Sequence, residues 1–260
     1  MSFYSQNGED FLLCRVFEGQ TQGRFVEVGC IDGRRFSNTL ALEELGWDGL
    51  CIEAHPDYMD LLRANRPGSA VVHCAVGDRD QSQVTFYANR RGSLSTLKPE
   101  MEQHFREHYA PYFSGFEPCT VPLRTLSSLL DEHGIRDIDV LSLDIEGGEL
   151  DALRGIDFSR HRPRLLVVEC LTPQEVLAVE SILLPAGYTP GFRVSSNYFY
   201  TTEPELLDRV RGQSFHVELL HTQHPLDADG DQRLPVTIAV EALDSVDGRP
   251  VGISTFALSL

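Results

Sequence analysis

The sequence predicts a doubly wound α/β domain with a mostly parallel sheet, followed by a β-rich C-terminal appendage. Three observations predict it. Short β-branched runs alternate with helix-like stretches, the signature of βαβ units. The first run ends in a glycine-containing turn, Glu27-Val28-Gly29-Cys30-Ile31-Asp32-Gly33, where open α/β sheets bind ligands at their strand ends. From residue 213 the pattern changes to strands joined by Asp/Gly-rich turns. The 260 residues suit residues 1–212 as one domain and 213–260 as an extension, either part of that domain or a dimer contact.

In chain order, Arg24–Gly29 reads as a first strand, with a helix around Ser37–Leu45 after the turn. Gly49–Glu53 is a second strand, and Pro56 suits the opening of the next helix. Ala70–Ala75 is a third strand. Thr125 is placed to cap a helix running to about Glu132. Ile138–Asp144 and Arg164–Glu169 are the fourth and fifth strands. Thr172-Pro173 with Glu175 has the spacing of a capping box. Residues 187–202 close the domain with a strand pair around Phe192–Val194 and Tyr198–Tyr200. In the tail, Phe215–Leu220, Leu234–Val240 and Ile253–Leu258 are strand-like, with Asp247-Gly248 as a hairpin turn between the last two.

Bulk properties exclude several classes. With 22 Lys and Arg against 39 Asp and Glu, the formal charge of −17 disfavours a nucleic acid or an anionic membrane as partner. The basic cluster Asn89-Arg90-Arg91 is too short to reverse this. The polar start MSFYSQNGED is unlike a signal peptide, and no apolar run approaches a membrane span. Cys14, Cys30, Cys51, Cys74, Cys119 and Cys170 have no metal-type spacing and read as reduced thiols, four of them in or beside apolar strand runs. A cytoplasmic location is expected.

The first turn is E-x-G-x-x-D-G, not the G-x-G-x-x-G that cradles a dinucleotide pyrophosphate. Glu27 and Asp32 would repel a pyrophosphate but suit a cation with an amino-acid end, such as S-adenosylmethionine, with Gly29 allowing close backbone approach. Glu53, about 20 residues past the turn, is placed to grip ribose hydroxyls. Asp78, after the third strand, is placed to accept from an adenine amino group. Asn38, at the start of the helix after the turn, Ala54, beside Glu53, and Asp144, at the end of the fourth strand, also belong to the expected cofactor set.

Asp144 and Glu169 end adjacent strands, where the reacting methyl group would point. Hard oxygen ligands there suit Mg²⁺ or Ca²⁺, which would acidify a substrate hydroxyl. Without a metal, Asp144, Glu146 or Glu169 would serve as general base; the alternative is that Asp144 and Glu146 cap the next helix.

Tyr4-Ser5-Gln6-Asn7-Gly8-Glu9-Asp10, Phe25–Gly33, Ile52-Glu53-Ala54-His55-Pro56, Ala75-Val76-Gly77-Asp78, Val121-Pro122 with Thr125-Leu126, and Leu143-Asp144-Ile145-Glu146-Gly147 stand in an order that resembles the FkbM family of methyltransferases, over residues 4–202. The resemblance implies the class I methyltransferase fold, which is Rossmann-like, and S-adenosylmethionine as donor. It implies methylation of a hydroxyl on a sugar or polyketide-like product. It also places Gln6, Glu9 and Asp10 near the cofactor or acceptor. Catechol-type O-methyltransferases, which the site resembles in its strand-end acids, have a lysine soon after the metal-binding aspartate. Gly147 and Gly148 occupy that stretch here, which leaves Glu146 or a histidine to be considered as base.

In the tail, His221 and His224 are candidates for a base or ligand, against a reading as ordinary loop histidines. Asp227-Ala228-Asp229-Gly230-Asp231 lacks the glycine and glutamate of a calcium loop and reads as an acidic turn. Residues 86–118 carry Phe105, Tyr109, Tyr112 and Phe113, which either form a sugar-stacking lid or pack down. The sequence therefore predicts an O-methyltransferase for a small hydroxylated acceptor, a carbohydrate first and a polyketide or macrolide second. A carboxylate or amine acceptor is the enzyme alternative. The non-enzyme alternative is a silent cofactor-binding module that dimerises through the tail.

Overall fold

The computed structural model describes residues 1–90, 93–221 and 231–240, with further strands at 244–246, 249–251 and 256–257. Arg91, His224, Asp227, Asp229, the Asp247-Gly248 turn and most of the last expected strand lie outside the described residues. The chain begins with helix α1 (Glu9–Val16), then strand β1 (Arg24–Val28), helix α2 (Leu40–Glu44) and strand β2 (Asp48–Glu53). A 3-10 turn at Pro56–Tyr58 leads into α3 (Met59–Asn65), β3 (Ser69–His73) and the short β4 (Ala75–Val76). An excursion of β5 (Gln81–Asn89), α4 (Met101–His108) and β6 (Phe116–Arg124) precedes α5 (Leu126–Glu132) and β7 (Val140–Leu143). Helix α6 (Glu149–Arg154), β8 (Leu165–Glu169), α7 (Pro173–Leu183), β9 (Thr189–Val194) and β10 (Asn197–Thr201) complete the sheet. A hairpin of β11 (Ser214–His221) and β12 (Gln232–Ala239) follows, then β13 (Asp244–Val246), β14 (Arg249–Val251) and β15 (Phe256–Ala257).

The main sheet has seven strands in the order β3-β2-β1-β7-β8-β10-β9. Its pairings are parallel except around β10, which runs antiparallel to both neighbours. The order reverses between β1 and β7, so the expected doubly wound sheet has its switch point beside the Gly29 turn. Buried side chains fill both faces: Leu12, Phe25, Trp47 and Leu165 on one, Val26, Leu50, Leu129 and Val168 on the other. The inner face of the β11–β12 hairpin joins the first of these cores through Leu219, Val236 and Ile238. No helix among the described residues is long and apolar enough to cross a membrane.

Local chemistry explains where elements begin. The Thr125 hydroxyl accepts from Ser128 N at 3.1 Å, and Thr172 and Glu175 form the expected capping box. Cys30, Cys51, Cys74 and Cys170 are buried, whereas Cys14 and Cys119 are partly so.

Elsewhere the structure differs from expectation. The helix expected from Ser37 starts only at Leu40, because the hydroxyls of Ser37 and Thr39 and the amide of Asn38 are bound to the Glu27 carboxylate instead. The single strand expected over 70–75 breaks at Cys74, after which Ala75–Val76 pairs with β6 in a second sheet, β4-β6-β5. The nine-residue strands β5 and β6 of that second sheet have no counterpart among the strands expected from the sequence. Between β12 and β15 in the chain, the short strands β13 and β14 pair antiparallel.

Arg66 occupies the most demanding position in the core. Its guanidinium is fully buried, 2.8 Å from Glu27 and 2.7 Å from Glu43, and it lies 5.1 Å from the centre of the Phe25 ring. Removing one partner of such a network leaves buried charges uncompensated. Arg66→Met is therefore expected to lower unfolding free energy by roughly 3–5 kcal/mol, read from urea denaturation. A loss under about 1 kcal/mol would mean that the network contributes little net stability.

Candidate functional site

The carboxyl ends of β1, β2, β7 and β8 open onto a cavity of about 610 Å³, within the range of small-molecule sites. Gln6, Gly29, Glu53, Ala54, Asp144, Glu146, Glu169 and His221 all line it. The chain thus brings eight of the expected site residues to one place. Residues that sequence reasoning did not single out for the site include Ile31, Arg35, Phe36, Leu94, Ser195, Ser196 and Gln232.

The remaining expected residues are placed otherwise. Glu27 does not line the cavity; it is 4% exposed and bound to Arg66, Ser37, Asn38 and Thr39. Asp32 accepts from the backbone N–H groups of Arg34 and Arg35 and so shapes the turn. Asn38 donates to the Ser142 hydroxyl, tying the turn to β7. Glu9 accepts from the side chains of Asn7 and Asn197. Asp78 is exposed and paired with Arg79 at 2.9 Å. The acidic character of the cavity comes from Glu53, Asp144, Glu146 and Glu169.

Gly29 is required by the chain itself. Its φ is +90°, and a Cβ there would lie 1.8 Å from the Asp144 carbonyl oxygen. Glycine is thus forced by β1 meeting the end of β7 as well as by any ligand above it.

Backbone strain marks the same cavity. Five non-glycine residues among those described have positive φ: Ile31, Phe36, Leu94, Glu146 and Ser195. All five line the cavity. Each such conformation costs about 1 kcal/mol or more, and for β-branched Ile31 it is a clear outlier. Strained residues persist where surrounding structure over-determines them, and they gather at ligand sites.

The electrostatics are unusual. Glu53 accepts from Ile31 N at 2.7 Å and His55 N at 2.6 Å, yet burial raises its pKa to about 7 against those hydrogen bonds. Burial also raises Asp144 to about 6, opposed by a hydrogen bond with Glu169. Glu146 is pushed to about 8 by burial and then by Asp144. Glu149 reaches about 7, again chiefly through burial. Glu169 is held well above the usual carboxylate range by burial and by its acidic neighbours. So many crowded carboxyls must share protons or face a cation.

Asp144, Glu149 and Glu169 each offer an oxygen, all within 4.8 Å of one another. Among the described residues, Glu169 Oε2 is buried with no hydrogen-bond partner. Hard oxygen donors with a free buried lone pair fit Mg²⁺ or Ca²⁺. In the sequence alone Glu149 carries no signal of a ligand and reads only as a helix residue. It also accepts from Ile145 N and Gly147 N, capping its own turn. Glu27, Cys30 and Cys51 converge as well, but there Arg66 already supplies the positive charge.

Phe105 and Phe113 pack down with Leu94, whereas Tyr109 and Tyr112 line the cavity. Glu146 holds this region to the β7 turn: its carboxylate accepts from Leu94 N and its carbonyl from the Thr96 hydroxyl. Lys98 donates to the Gly147 carbonyl from the same segment.

A family model described as the methyltransferase FkbM domain matches residues 27–190. A curated methyltransferase, sdnD of Sordaria araneosa, is 30% identical over 124 residues, 40% of this chain and 48% of that protein. The chain thus spans about half the length of that curated relative. Among solved structures, a precorrin-6Y C5,15-methyltransferase from Geobacter metallireducens is similar with a TM-score of 0.41 and 11% identity, over 88% of this chain and 85% of that one. A TehB-like methyltransferase from Corynebacterium glutamicum gives a TM-score of 0.37 and 13% identity, over 76% and 86%.

The raised pKa of Glu53 has a direct consequence for stability. The folded chain holds a proton there that the unfolded chain releases above about pH 4.5. Its contribution is therefore complete below that pH and is lost as pH rises through about 7. Urea melts at about pH 5 and about pH 8 should show the ligand-free chain weaker at the higher pH, by up to a few kcal/mol. Glu53→Gln should narrow that difference; an unchanged difference would remove Glu53 as its source.

Proposed function

This chain belongs to the FkbM methyltransferase family and has the class I methyltransferase fold, and from that premise we propose that it is an S-adenosylmethionine-dependent O-methyltransferase. Its acceptor is a hydroxyl of a small molecule, a sugar or oligosaccharide first and a polyketide-like product second. The observation that carries the reading is the convergence of Glu53, Asp144 and Glu169, from three strand ends, on one strained cavity at the switch point.

S-adenosylmethionine, a net cation, supplies an electrophilic methyl on its sulfonium for in-line attack by an acceptor oxygen. A cavity lined by four carboxylates suits such a ligand. Glu53 is held in place by two backbone N–H groups and keeps lone pairs for the ribose hydroxyls. Ala54, Ala75, Val76 and Phe86 form an apolar slot suited to a purine face. Burial raises the pKa of both Asp144, to about 6, and Glu169, and of the two Asp144 is suited to accept the acceptor's proton. Asp144, Glu149 and Glu169 would hold a divalent cation, whose chemistry is to acidify an acceptor hydroxyl. The sugar reading is supported by Tyr109 and Tyr112, whose rings offer stacking faces beside carboxylates that accept from hydroxyls.

Calorimetry is expected to show S-adenosylmethionine binding to the wild-type chain and at least about tenfold weaker binding to Glu53→Ala, since hydrogen bonds to a charged group are lost. Absence of binding to the wild type would sink the methyltransferase activity for this chain. Metal assistance has its own readout, Mn²⁺ binding followed by electron paramagnetic resonance. Binding that Asp144→Asn or Glu169→Gln abolishes supports the cation; an acceptor methylated equally well with a chelator present rules it out.

A further inference from the structure

Both ends of the described chain beyond the family match contribute to the cavity: Gln6 precedes residue 27, and Ser195, Ser196, His221 and Gln232 follow residue 190. We propose that Gln6, His221 and Gln232 form the subsite for the carboxylate end of the cofactor's amino-acid portion; this rests on the S-adenosylmethionine reading.

The geometry is built, not incidental. His221 and Gln232 are directly opposite in the β11–β12 register, so their side chains stand on one face of the hairpin, and both line the cavity. His221 Nε2 lies 3.1 Å from the Gln6 carbonyl oxygen, and its ring meets Phe36 edge-on at 5.8 Å. Ser5 bridges to Phe36, and Leu220 N donates to Phe3 O at 2.6 Å. Leu219 and Ile238, fully buried in the core, anchor the hairpin. The adjacent Asp231 is ion-paired with Arg34 at 3.1 Å.

Charge gives this pole its role. The sheet side of the cavity presents Glu53, Asp144, Glu146 and Glu169. A ligand with sulfonium and ammonium cations and one carboxylate must turn that carboxylate away from them. The hairpin side offers two amides and an imidazole, with the Arg35 guanidinium 5.8 Å from the Phe36 ring centre. Amide N–H groups and a cationic neighbour are the donors that a carboxylate accepts from.

The test compares two ligands on the full chain by calorimetry: S-adenosylhomocysteine, and 5′-methylthioadenosine, which lacks the amino-acid end. For the variant carrying His221→Ala and Gln232→Ala, homocysteine-ligand binding is expected to weaken about tenfold or more while methylthioadenosine binding stays within about twofold. Gln232→Glu, nearly isosteric, should weaken the homocysteine ligand selectively through repulsion, with its thermal midpoint unchanged. Equal weakening of both ligands would mean that the hairpin merely shapes the cavity and would overturn the subsite, as would no change in either. Wild-type chain that binds neither ligand would overturn the methyltransferase reading itself, and the subsite with it.

Discussion

Gly29 and the carbonyl of Asp144 approach so closely that no side chain fits between them. This contact lies where the order of the sheet reverses, with Gly29 N bound to Ile52 O and Asp144 N to Val28 O. It gathers the ends of β2, β1 and β7 into one place. A doubly wound sheet must part its connections at that point, because successive helices leave toward opposite faces. The cavity exists because the helices diverge there, and Glu53 and Asp144 line it because their strands end there. Substituting Gly29 would move β1 relative to β7 before it touched any ligand.

Around that contact the chain accumulates unfavourable features that folding alone would not select. Five positive-φ side-chain residues and a crowd of buried carboxyls surround one cavity. A well-packed core could replace most of these groups with apolar ones at no loss of stability. The compensation is visible elsewhere, in cores on both sheet faces and in the Arg66 network beneath the turn. The rigid sheet holds these groups together against their repulsion. That is the arrangement expected of a preorganised site for a cation.

Strand ends were legible in the sequence because a β-branched run followed by glycine or an acid marks where a strand stops. Gly29, Glu53, Asp144 and Glu169 were found that way. Side-chain direction was harder. Glu27 was assigned to the ligand, yet alternation along β1 puts it on the same face as Phe25, under the Arg66 guanidinium. The lone Arg66 gave no sequence signal that it would meet two glutamates far away in the chain. Helix α1 was missed although Glu9 and Asp10 in its first turn and Leu12, Leu13 and Val16 behind them carry a helical pattern. Strands β5 and β6 are hard to read from the sequence because their apolar alternation is short, Val84-Phe86-Ala88 in one and Val121-Leu123 beside two prolines in the other, and their pairing spans the α4 excursion. Gln232 was invisible, since nothing local fixes a hairpin's register across so long a connection.

The cavity has two chemical sides of different origin. The acidic side belongs to the sheet and lies within the span of the family match; the amide and imidazole side is assembled from the N-terminal segment and the C-terminal hairpin. Hydrogen-bonded strand ends fix the first side rigidly. The second depends on contacts of the hairpin with residues 3–6 and Phe36, which involve fewer hydrogen bonds than the central sheet. A ligand that spans both sides therefore does more than fill a pocket, because its binding energy also holds the hairpin against the domain.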